Sequence, residues 1–568
     1  MARLDISAHV WRIFSVYCRY FNAVQSETFE LAYHTTKNMV VAAPTGSGKT
    51  GILELAIIGL LSKQLDVNNQ LQLKHGAQKV LYIAPSKALI QERVKDWGSK
   101  FGSVGLMCME ISGDTDESQL AGVNAADIIC TTPEKFIALV LIDEVHLLNE
   151  DRGAVLEAGV VSRIRLISKA PEMREMPIGK VRFVAVSATI PNIWDIGEWL
   201  QVPPDGLKSF GEEMRPVKLT TIVKGYNETK TDFLFEKRLN DHIFGVVKEY
   251  SKGKPTLIFC SSRKGTSDTA MHLLGQCQKI SGGSSPSPYV RTAQQFERLK
   301  NAATQTNNKQ LQQCLCAGIG FHHAAMDPQE RLLIEQLFIN TDVLVLCTTS
   351  TLAVGVNLPA HLVVLKGTRR WTSDNKEGSG YKEYDRSTCL QMVGRAGRPQ
   401  FDTEGVAVIM TQKKVACQYN NLVRGAEVVE SQLHDYLAEY LNAELSLRTL
   451  KDISMAIDWL KSTFLYIRVS HCSASASDEV FTRVLREKFI LTTVSELSKY
   501  NLVSLAEDGF GLEPQLAGDF MARHYLRFHT MVSICKSPQH ASMPDLLSVI
   551  ATSVECASIK LRRSEKKV

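Results

Sequence analysis

The amino-acid sequence predicts an α/β protein with two tandem domains, each built on a parallel sheet, followed by a mainly helical region. Short apolar strands alternate with helical segments from residue 38 to about residue 200, the rhythm of a doubly wound parallel sheet. The dipeptide Arg215-Pro216 interrupts this rhythm, and a second set of strands and helices follows it. From about Glu427 helical periodicity replaces the strands, with leucines at positions 433, 437, 441 and 445.

The predicted strands are short apolar runs between polar or helical segments. In the first domain they include residues 80–84, 127–130 and 181–186, and in the second domain residues 256–260, 343–347, 362–365 and 406–410. A polar stretch in the second domain, residues 281–288 (SGGSSPSP), predicts a solvated loop.

The composition is that of a globular protein. Of the 568 residues 44% are hydrophobic, and the length suggests about three or four domains. The net charge of +5 gives no global signal for nucleic acid, so a binding surface would be local. The 13 cysteines are scattered, which is typical of reduced thiols in an intracellular protein. No apolar run reaches the roughly 18 residues of a membrane span, so we expect a soluble protein without membrane contact.

Residues 39–51 (MVVAAPTGSGKTG) have the pattern of a phosphate-binding loop between a strand and a helix. Backbone N–H groups at a helix N-terminus attract phosphates, and Gly46 and Gly48 let the chain approach them closely. Lys49 would reach the β- and γ-phosphates, and Thr50 would hold a magnesium ion. The other candidate nucleotide-binding residues are Ala43, which stands where the general pattern has glycine, Pro44, Thr45 and Ser47.

Residues 139–146 (LVLIDEVH) form a second apolar run, and two acids follow it. Asp143 is placed to bind the magnesium ion, and Glu144 is placed to polarise the attacking water. A glycine-rich turn alone is often a simple turn, but the two patterns together predict a nucleoside triphosphatase.

These two motifs belong to an ordered series that resembles the superfamily-two helicases over roughly residues 10–530. The series continues with residues 84–89 (APSKAL), 112–114 (SGD), 131–135 (TTPEK), 186–189 (VSAT), 259–263 (FCSSR), 320–324 (GFHHA), 348–359 (TTSTLAVGVNLP) and 391–398 (QMVGRAGR). The resemblance implies two RecA-like domains that bind ATP and Mg²⁺. It also implies that Gln25 recognises adenine and that Gly355 belongs to the nucleotide site.

The family's strand-binding loops hold the sugar-phosphate backbone through hydroxyls, backbone amides and helix N-termini, without reading its sequence. The residues that match them in this sequence are Pro85, Lys87, Gly113, Thr131, Thr132, Pro133, Thr348 and Thr349.

Two arginines in residues 391–398 predict transition-state stabilisation. Arg395 and Arg398, carried by one domain, would stabilise the γ-phosphate bound by the other, so hydrolysis would require a closed cleft. Gln391 begins the same motif. Together with Lys49, Asp143 and Glu144, these three residues are the candidate catalytic set.

Within the superfamily, the sequence resembles the DExH helicases that carry a winged helix and a helical ratchet domain. Residues 143–146 (DEVH), 215–217 (RPV), 355–359 (GVNLP), 459–466 and 518–525 carry this resemblance. It implies a first RecA-like domain over residues 1–215, a second over 216–426, a winged helix over 427–515 and the start of a ratchet bundle over 516–568.

Residues 20–26 (YFNAVQS), 97–101 (WGSKF), 112–115 (SGDT) and 151–157 (DRGAVLE) resemble the HFM-type meiotic crossover DNA helicases. This implies an ATP-dependent 3′–5′ DNA helicase of the nucleus, with single strands and branched duplexes as partners. A spliceosomal-type RNA helicase, which has two such cassettes, and a nucleic-acid-binding protein with a crippled ATPase stay open as alternatives. The 2′-hydroxyl contacts that separate RNA from DNA cannot be identified from one sequence.

Two features depart from this family. Only seven residues lie between Lys135 and Asp143, whereas a parallel crossover needs about a dozen residues or more, so the family's helix cannot fit. A skipped exon or faulty gene model is our interpretation, and a real short form is expected to have a misplaced strand-binding motif and weak ATPase. The sequence also stops at Val568, early in the ratchet-like part, so the helix that touches the translocating strand is expected to be missing.

Residues 366–384 predict a β-hairpin, because two short flanks enclose a polar turn over residues 372–380. Related helicases place a strand-separating hairpin at this point in the order of motifs. Trp371 or Tyr381 would then stack on the last base pair, with Arg369 and Arg370 near phosphates. The alternative is a surface hairpin with Trp371 in the core.

Overall fold

A computed structural model of the chain describes residues 21–63, 79–84, 87–103, 105–111, 122, 125–130, 137–150, 153–169, 173, 177–281, 287–350, 352, 358–374, 378–398, 401–423, 428–472, 482–507, 509–538 and 540–556. Within these residues, two parallel sheets and two antiparallel ribbons are surrounded by helices. The fold class predicted from the sequence, two parallel-sheet domains followed by a winged helix and further helices, is confirmed.

The strands of the described residues, in chain order, are β1 (Met39–Ala42), β2 (Lys79–Ile83), β3 (Cys108–Glu110), β4 (Ile128–Cys130), β5 (Ile137–Ile142), β6 (Arg182–Ser187), β7 (Leu207–Ser209), β8 (Lys218–Tyr226), β9 (Thr256–Cys260), β10 (Ile319–His322), β11 (Val345–Thr349), β12 (Leu362–Lys366), β13 (Arg369–Asp374), β14 (Gly378–Glu383), β15 (Glu404–Gln412), β16 (Val503–Leu505) and β17 (Leu512–Pro514).

The α-helices of the same residues are α1 (Ala23–Phe29), α2 (Lys49–Ser62), α3 (Lys87–Gly102), α4 (Arg163–Lys169), α5 (Ile193–Trp199), α6 (Asp232–Tyr250), α7 (Arg263–Ser281), α8 (Ala293–Thr304), α9 (Lys309–Cys316), α10 (Pro328–Ile339), α11 (Arg386–Gly394), α12 (Ala416–Val423), α13 (Leu437–Ser446), α14 (Ile453–Lys461), α15 (Phe464–Cys472), α16 (Thr492–Lys499), α17 (Leu516–Arg523), α18 (Phe528–Cys535) and α19 (Met543–Thr552). Wider π-helical segments cover Glu30–His34, Val155–Ser162 and Leu485–Leu491.

The first sheet has the strand order β3-β4-β2-β5-β6-β1-β7, and its pairings are parallel. Its central strands are buried on both faces, which is why they form continuous apolar runs in the sequence. On β1, Met39 and Val41 pack into the layer of α2 and α3, whereas Val40 and Ala42 pack into the opposite layer with α5. The phosphate-binding loop leaves the carboxyl end of β1, the edge at which such sheets bind ligands.

The second sheet has the order β10-β11-β9-β12-β15-β8 and is also parallel. Its outer strand β8 begins at Lys218, shortly after the first sheet's outer strand β7 ends at Ser209. A short connection through Arg215-Pro216 therefore joins the edge of one sheet to the edge of the other. Strands β13 and β14 extend from this domain as an antiparallel hairpin, which confirms the hairpin predicted from the sequence.

The short link that leaves no room for the family's helix joins β4 to β5. Both strands pair in parallel with β2, one on each side of it. Seven residue steps separate Cys130 from Ile137, and an extended chain covers about 23 Å in that number of steps. Two strand spacings are about 10 Å, and the return along β4 is about 10 Å. The described strands thus keep the parallel order β4-β2-β5. Residues 131–136 lie outside the described part of the chain, so the gene-model error, the misplaced strand-binding motif and the weak ATPase stay predictions.

The helical region after residue 427 packs directly on the first sheet domain. The side-chain amide of Asn192 bonds the backbone of Val429 in both directions, at 3.0 Å to its carbonyl and 2.9 Å from its N–H. Phe464, at the start of α15, is fully buried in the core of the first sheet, with its ring 5.7 Å from that of Trp199. The winged-helix segment and the first sheet therefore share hydrophobic core.

The buried acid Glu157 joins the first sheet domain to the winged-helix segment by hydrogen bonds. Glu157, on the π-helical segment Val155–Ser162, has no exposed surface and accepts hydrogen bonds from Ser431 Oγ and Leu465 N, both at 2.7 Å. Because Leu465 lies in the first turn of α15, the carboxylate caps the N-terminus of that helix. Burial raises the pKa of Glu157 to about 7, although the hydrogen bonds from Ser431 and Leu465 oppose the shift.

None of the helices in the described residues is long and apolar enough to cross a membrane.

The buried acid predicts a pH-dependent stability. Between about pH 4.5 and pH 7 the folded chain binds more protons at Glu157 than the unfolded chain, so stability should fall as pH rises through this window. Glu157→Gln should remove that component, whereas Glu496→Gln, at an exposed position of α16, should keep it. Thermal unfolding at pH 5 and pH 8 measures the difference. An unchanged pH dependence in Glu157→Gln would contradict this role.

Candidate active site

The phosphate-binding loop joins β1 to α2 and contains two glycines in the left-handed conformation. Gly46 has φ 83° and Gly48 has φ 81°, values that side-chain-bearing residues adopt only with strain. A Cβ atom on Gly48 would also lie 2.5 Å from Asn22 Nδ2. The loop can therefore follow this path only with glycine at these positions.

Inside the loop, two polar groups fit a bound phosphate. Lys49 is buried, and its ammonium donates to Ala43 O at 2.9 Å and Pro44 O at 3.5 Å. Ser47 Oγ is buried without a hydrogen-bond partner. The buried Lys49 ammonium has neutral carbonyl oxygens as its hydrogen-bond acceptors, and the Ser47 hydroxyl is unpaired. Both groups would therefore favour a bound anion. These residues thus fit the triphosphate of ATP.

A capping box supports the loop from outside. Asn22 Oδ1 accepts from Gln25 N at 2.9 Å, and Gln25 Oε1 accepts from Asn22 N at 3.2 Å. The remaining amide hydrogens point to the loop: Asn22 Nδ2 donates to Ser47 O at 2.8 Å and Gln25 Nε2 donates to Gly48 O at 3.0 Å. In the structure Gln25 thus supports the phosphate-binding loop by a hydrogen bond to its backbone. Its contact with adenine stays a prediction. Sequence reasoning missed Asn22, although the Asn-x-x-Gln spacing signals the cap.

The two acids follow β5. Asp143 is partly buried and accepts a hydrogen bond from Tyr82 Oη at 2.8 Å. Burial, and then the charge of Glu144, raise the pKa of Asp143 above its usual range. Glu144 has φ 53°, an uncommon conformation for a residue with a side chain and one that is often found at functional sites. A divalent cation beside Asp143 would relieve the repulsion between these carboxylates, and Thr50 could share it; Mg²⁺ commonly takes one or two protein ligands in addition to phosphate oxygens.

His146 connects the acids to residues 187–189. Its Nδ1 accepts a hydrogen bond from Ala188 N at 3.3 Å and lies 3.4 Å from Ser187 Oγ and 3.5 Å from Glu144 Oε2. Burial, with smaller effects from Lys49 and Arg386, lowers the pKa of His146 to about 3. The imidazole is therefore neutral at physiological pH, which suits Nδ1 as an acceptor.

The second domain faces this loop through the end of α11 and the turn that follows it. Residues 394–397 are called the arginine turn below. A Cβ atom on Gly394 would overlap Thr45 Cγ2 and would lie 2.8 Å from Thr45 Cβ. The phosphate-binding loop and the predicted arginine motif are therefore in direct contact. Gln391 lies on α11, and Arg395 follows directly after the helix. Burial lowers the pKa of Arg395 while the charge of Glu92 on α3 opposes this, which places Arg395 within electrostatic reach of the first domain.

Arg398 has a carboxylate partner within its own domain. Its Nε donates to Asp402 Oδ2 at 2.9 Å, and its Nη2 to Asp402 Oδ1 at 3.3 Å. Lys254 also donates to Asp402, at 2.9 Å. Burial would raise the pKa of Asp402, but the hydrogen bonds from Arg398 and Lys254 outweigh it and lower the pKa to about 2. In this structure Arg398 is an ion-paired residue, and its predicted contact with the γ-phosphate stays a prediction.

Three family models match successive parts of the chain: DEAD/DEAH box helicase over residues 22–196, helicase conserved C-terminal domain over residues 288–400, and winged helix-turn-helix domain over residues 430–499. The chain therefore contains a DEAD/DEAH box helicase domain, a helicase C-terminal domain and a winged helix.

Among curated relatives of this helicase chain, the ATP-dependent DNA helicase homolog MER3 of Arabidopsis thaliana is 46% identical over 97% of this chain and 50% of its own length. The probable ATP-dependent DNA helicase HFM1 of Mus musculus is 40% identical over 97% of this chain and 38% of its own length. The chain thus spans about half the length of these relatives, or less. A solved structure of DUF1998 helicase MrfA bound to DNA shares the fold, with a TM-score of 0.55, 16% identity, and coverage of 91% of this chain and 60% of that chain.

The predicted strand-binding residues of the helicase chain are only partly described. Thr348 and Thr349 end β11, where Thr348 Oγ1 donates to Thr349 O at 3.3 Å. Lys87 begins α3, so its backbone lies at a helix N-terminus. The other predicted residues, Pro85, Gly113, Thr131, Thr132 and Pro133, lie outside the described residues, as does Gly355 of the nucleotide set.

The helicase hairpin pairs Trp371 with Tyr381 across β13 and β14. The arginines at its base, which were expected near phosphates, bind carboxylates. Arg369 Nη1 donates to Asp232 Oδ1, and Arg370 Nη2 donates to Asp385 Oδ2, both at 2.7 Å. In this structure these arginines therefore anchor the hairpin to its own domain, and a phosphate would have to compete with the two acids.

Arg395 should contribute mainly to ATP hydrolysis, and Arg398 should contribute mainly to the stability of the fold. Arg395→Ala is expected to reduce ATP turnover by about 10³- to 10⁵-fold, as loss of an arginine finger does, with little change in thermal stability. Arg398→Ala removes two side-chain hydrogen bonds to the buried carboxylate of Asp402 and keeps the one from Lys254, which should cost about 1.5–3 kcal/mol. Steady-state ATPase rates and denaturant unfolding of both variants check this. An Arg398→Ala protein of unchanged stability would contradict it.

Proposed function

We propose that the chain is the catalytic part of an ATP-dependent DNA helicase that moves 3′ to 5′ and acts in the nucleus during meiotic recombination. The named activity of the relatives supports this proposal, since the Arabidopsis thaliana, Oryza sativa and Saccharomyces cerevisiae proteins are ATP-dependent DNA helicases of the MER3 type. The direction of movement and the nuclear location come from the family resemblance.

The single observation that carries the proposal is the contact between Thr45 and Gly394. These residues belong to different sheets, and the space between their atoms does not admit a Cβ on Gly394. A change of the phosphate-binding loop at Thr45 would therefore act directly on the turn of the other domain that carries Arg395. Such a contact is the physical means by which nucleotide hydrolysis can move one domain relative to the other.

The residues that would hold ATP and Mg²⁺ are Lys49, Ser47, Thr50 and Asp143. When bound, the metal ion supplies positive charge that stabilises the phosphate oxygens. Lys49 adds a buried cation, and Glu144, next to Asp143 at the end of β5, is the group placed to orient and accept a proton from water. His146 Nδ1 lies 3.5 Å from Glu144 Oε2 and accepts a hydrogen bond from Ala188 N. A displacement of the two acids would therefore also move residues 187–189.

RNA is the alternative nucleic-acid substrate. The DExH-box ATP-dependent RNA helicase DExH14 of Arabidopsis thaliana is 34% identical over 96% of this chain. This identity is lower than the 46% of the MER3 homolog from the same organism, which favours DNA.

The proposal predicts an ATPase that single-stranded DNA stimulates more than single-stranded RNA, together with ATP-dependent separation of a duplex with a 3′ overhang. Lys49→Ala should lose nucleotide binding and hydrolysis together, because the buried cation is removed. Glu144→Gln should bind ATP and fail to hydrolyse it. Rates with matched DNA and RNA oligonucleotides and direct ATP-binding measurements decide this. Stronger stimulation by RNA would favour the RNA helicase, and hydrolysis unaffected by either nucleic acid would overturn the proposal.

The hairpin predicts a separable unwinding function. Deleting residues 373–380 removes the outer pairs of β13 and β14 and keeps the anchors of Arg369 and Arg370. This variant should lose duplex separation and keep ATPase stimulated by single strands, because base stacking at the hairpin acts only on duplex ends. Loss of both activities would show a folding role, and normal unwinding would place the wedge elsewhere.

A further inference from the structure

The connection between the two sheets contains an arginine that has no assigned role. Arg215 follows the 3-10 turn Glu212–Met214 and is buried. Its Nη2 donates to Gly394 O at 3.2 Å and to Ala396 O at 2.8 Å. These carbonyls lie immediately before and after Arg395, so one guanidinium nitrogen holds the backbone on both sides of that residue.

Val217, two residues after Arg215 in the connection, packs on the same turn. Gly397 has φ 87°, and a Cβ atom on it would lie 2.6 Å from Val217 Cγ1. On the other side the turn is held by its own domain, where Ala360 N donates to Arg395 O at 3.0 Å and Gly397 N donates to Ala360 O at 2.7 Å. The turn that carries Arg395 is therefore fixed between Ala360, just before β12, and the connection.

Arg215 also lies against the phosphate-binding loop. A Cβ atom on Gly46 would be 3.6 Å from Arg215 Nη2, which is ordinary van der Waals contact. The guanidinium thus stands where the loop, the connection and the arginine turn meet. Because its hydrogen bonds go to backbone carbonyls of the arginine turn, its effect is on the position of that turn.

We propose that Arg215 is a positioning residue for Arg395, so that the connection between the sheets must adopt this conformation before the arginine can act on the nucleotide. This inference rests on the proposed function, in which Arg395 stabilises the reacting phosphate. A preorganised group loses no energy to reorganisation during the reaction, and two anchored carbonyls supply that preorganisation.

A double-mutant cycle tests this with Arg215→Met, Arg395→Ala and the double variant, each assayed for kcat and KM of ATP hydrolysis. Arg215→Met should lower kcat by about ten- to a hundredfold, the effect of losing hydrogen bonds from a charged donor, with KM for ATP nearly unchanged. The double variant should be no slower than Arg395→Ala alone, because both changes act through one group. Arg215→Lys, which keeps one cationic nitrogen, should restore part of kcat.

Lys218→Met, an exposed cation three residues further along, is the matched control and should keep the kcat of the unmodified chain. Additive losses in the double variant would overturn the proposal, as would a raised KM at unchanged kcat, which would make Arg215 a direct phosphate ligand. If Arg215→Met does not fold, Val217→Ala replaces it in the cycle. ATP hydrolysis without duplex separation would overturn only the helicase proposal, and absence of hydrolysis in the unmodified chain would overturn both.

Discussion

The close approach of the phosphate-binding loop to the arginine turn is the constraint on which the active site depends. Thr45 lies where a side chain on Gly394 would have to be, so the two domains are in van der Waals contact at the point where the nucleotide would bind. Lys49 and Ser47 belong to the same loop as Thr45, and Arg395 follows Gly394 directly in the chain. Gly394 and Gly48 each keep a Cβ atom out of a crowded position, whereas Gly46 is required by its left-handed φ of 83°.

Much of the fold follows from the sequence alone, because strands buried on both faces must be continuously apolar. The predicted strand at residues 256–260 has the observed bounds, and the run at 406–410 lies within the longer β15. The short link between β4 and β5 leaves the parallel order of the described strands unchanged, and the gene-model error inferred from its length stays a prediction.

The partners of the charged side chains were the part that the sequence could not supply. Arg369 and Arg370 were expected at phosphates, and each has a carboxylate partner instead; the partner of Arg369 is 137 residues away in the chain. Tyr82, which hydrogen-bonds Asp143, is 61 residues from it. Motif spacing shows which residues share a loop, but it does not show which distant side chain completes a hydrogen bond or an ion pair.

The packing of Phe464 and Val429 into the core of the first sheet alters how the domains should be counted. Hydrogen bonds between Asn192 and Val429 join residues that are 237 positions apart, and the whole second sheet lies between them in the chain. In folding terms, the second sheet domain is an insertion within a larger unit formed by the two ends of the described chain. During synthesis, the first sheet can complete its core only after the entire second domain has been made. The arginine-bearing domain is thus joined at both its ends to the same packed unit, which limits how far it can move away from the phosphate-binding loop.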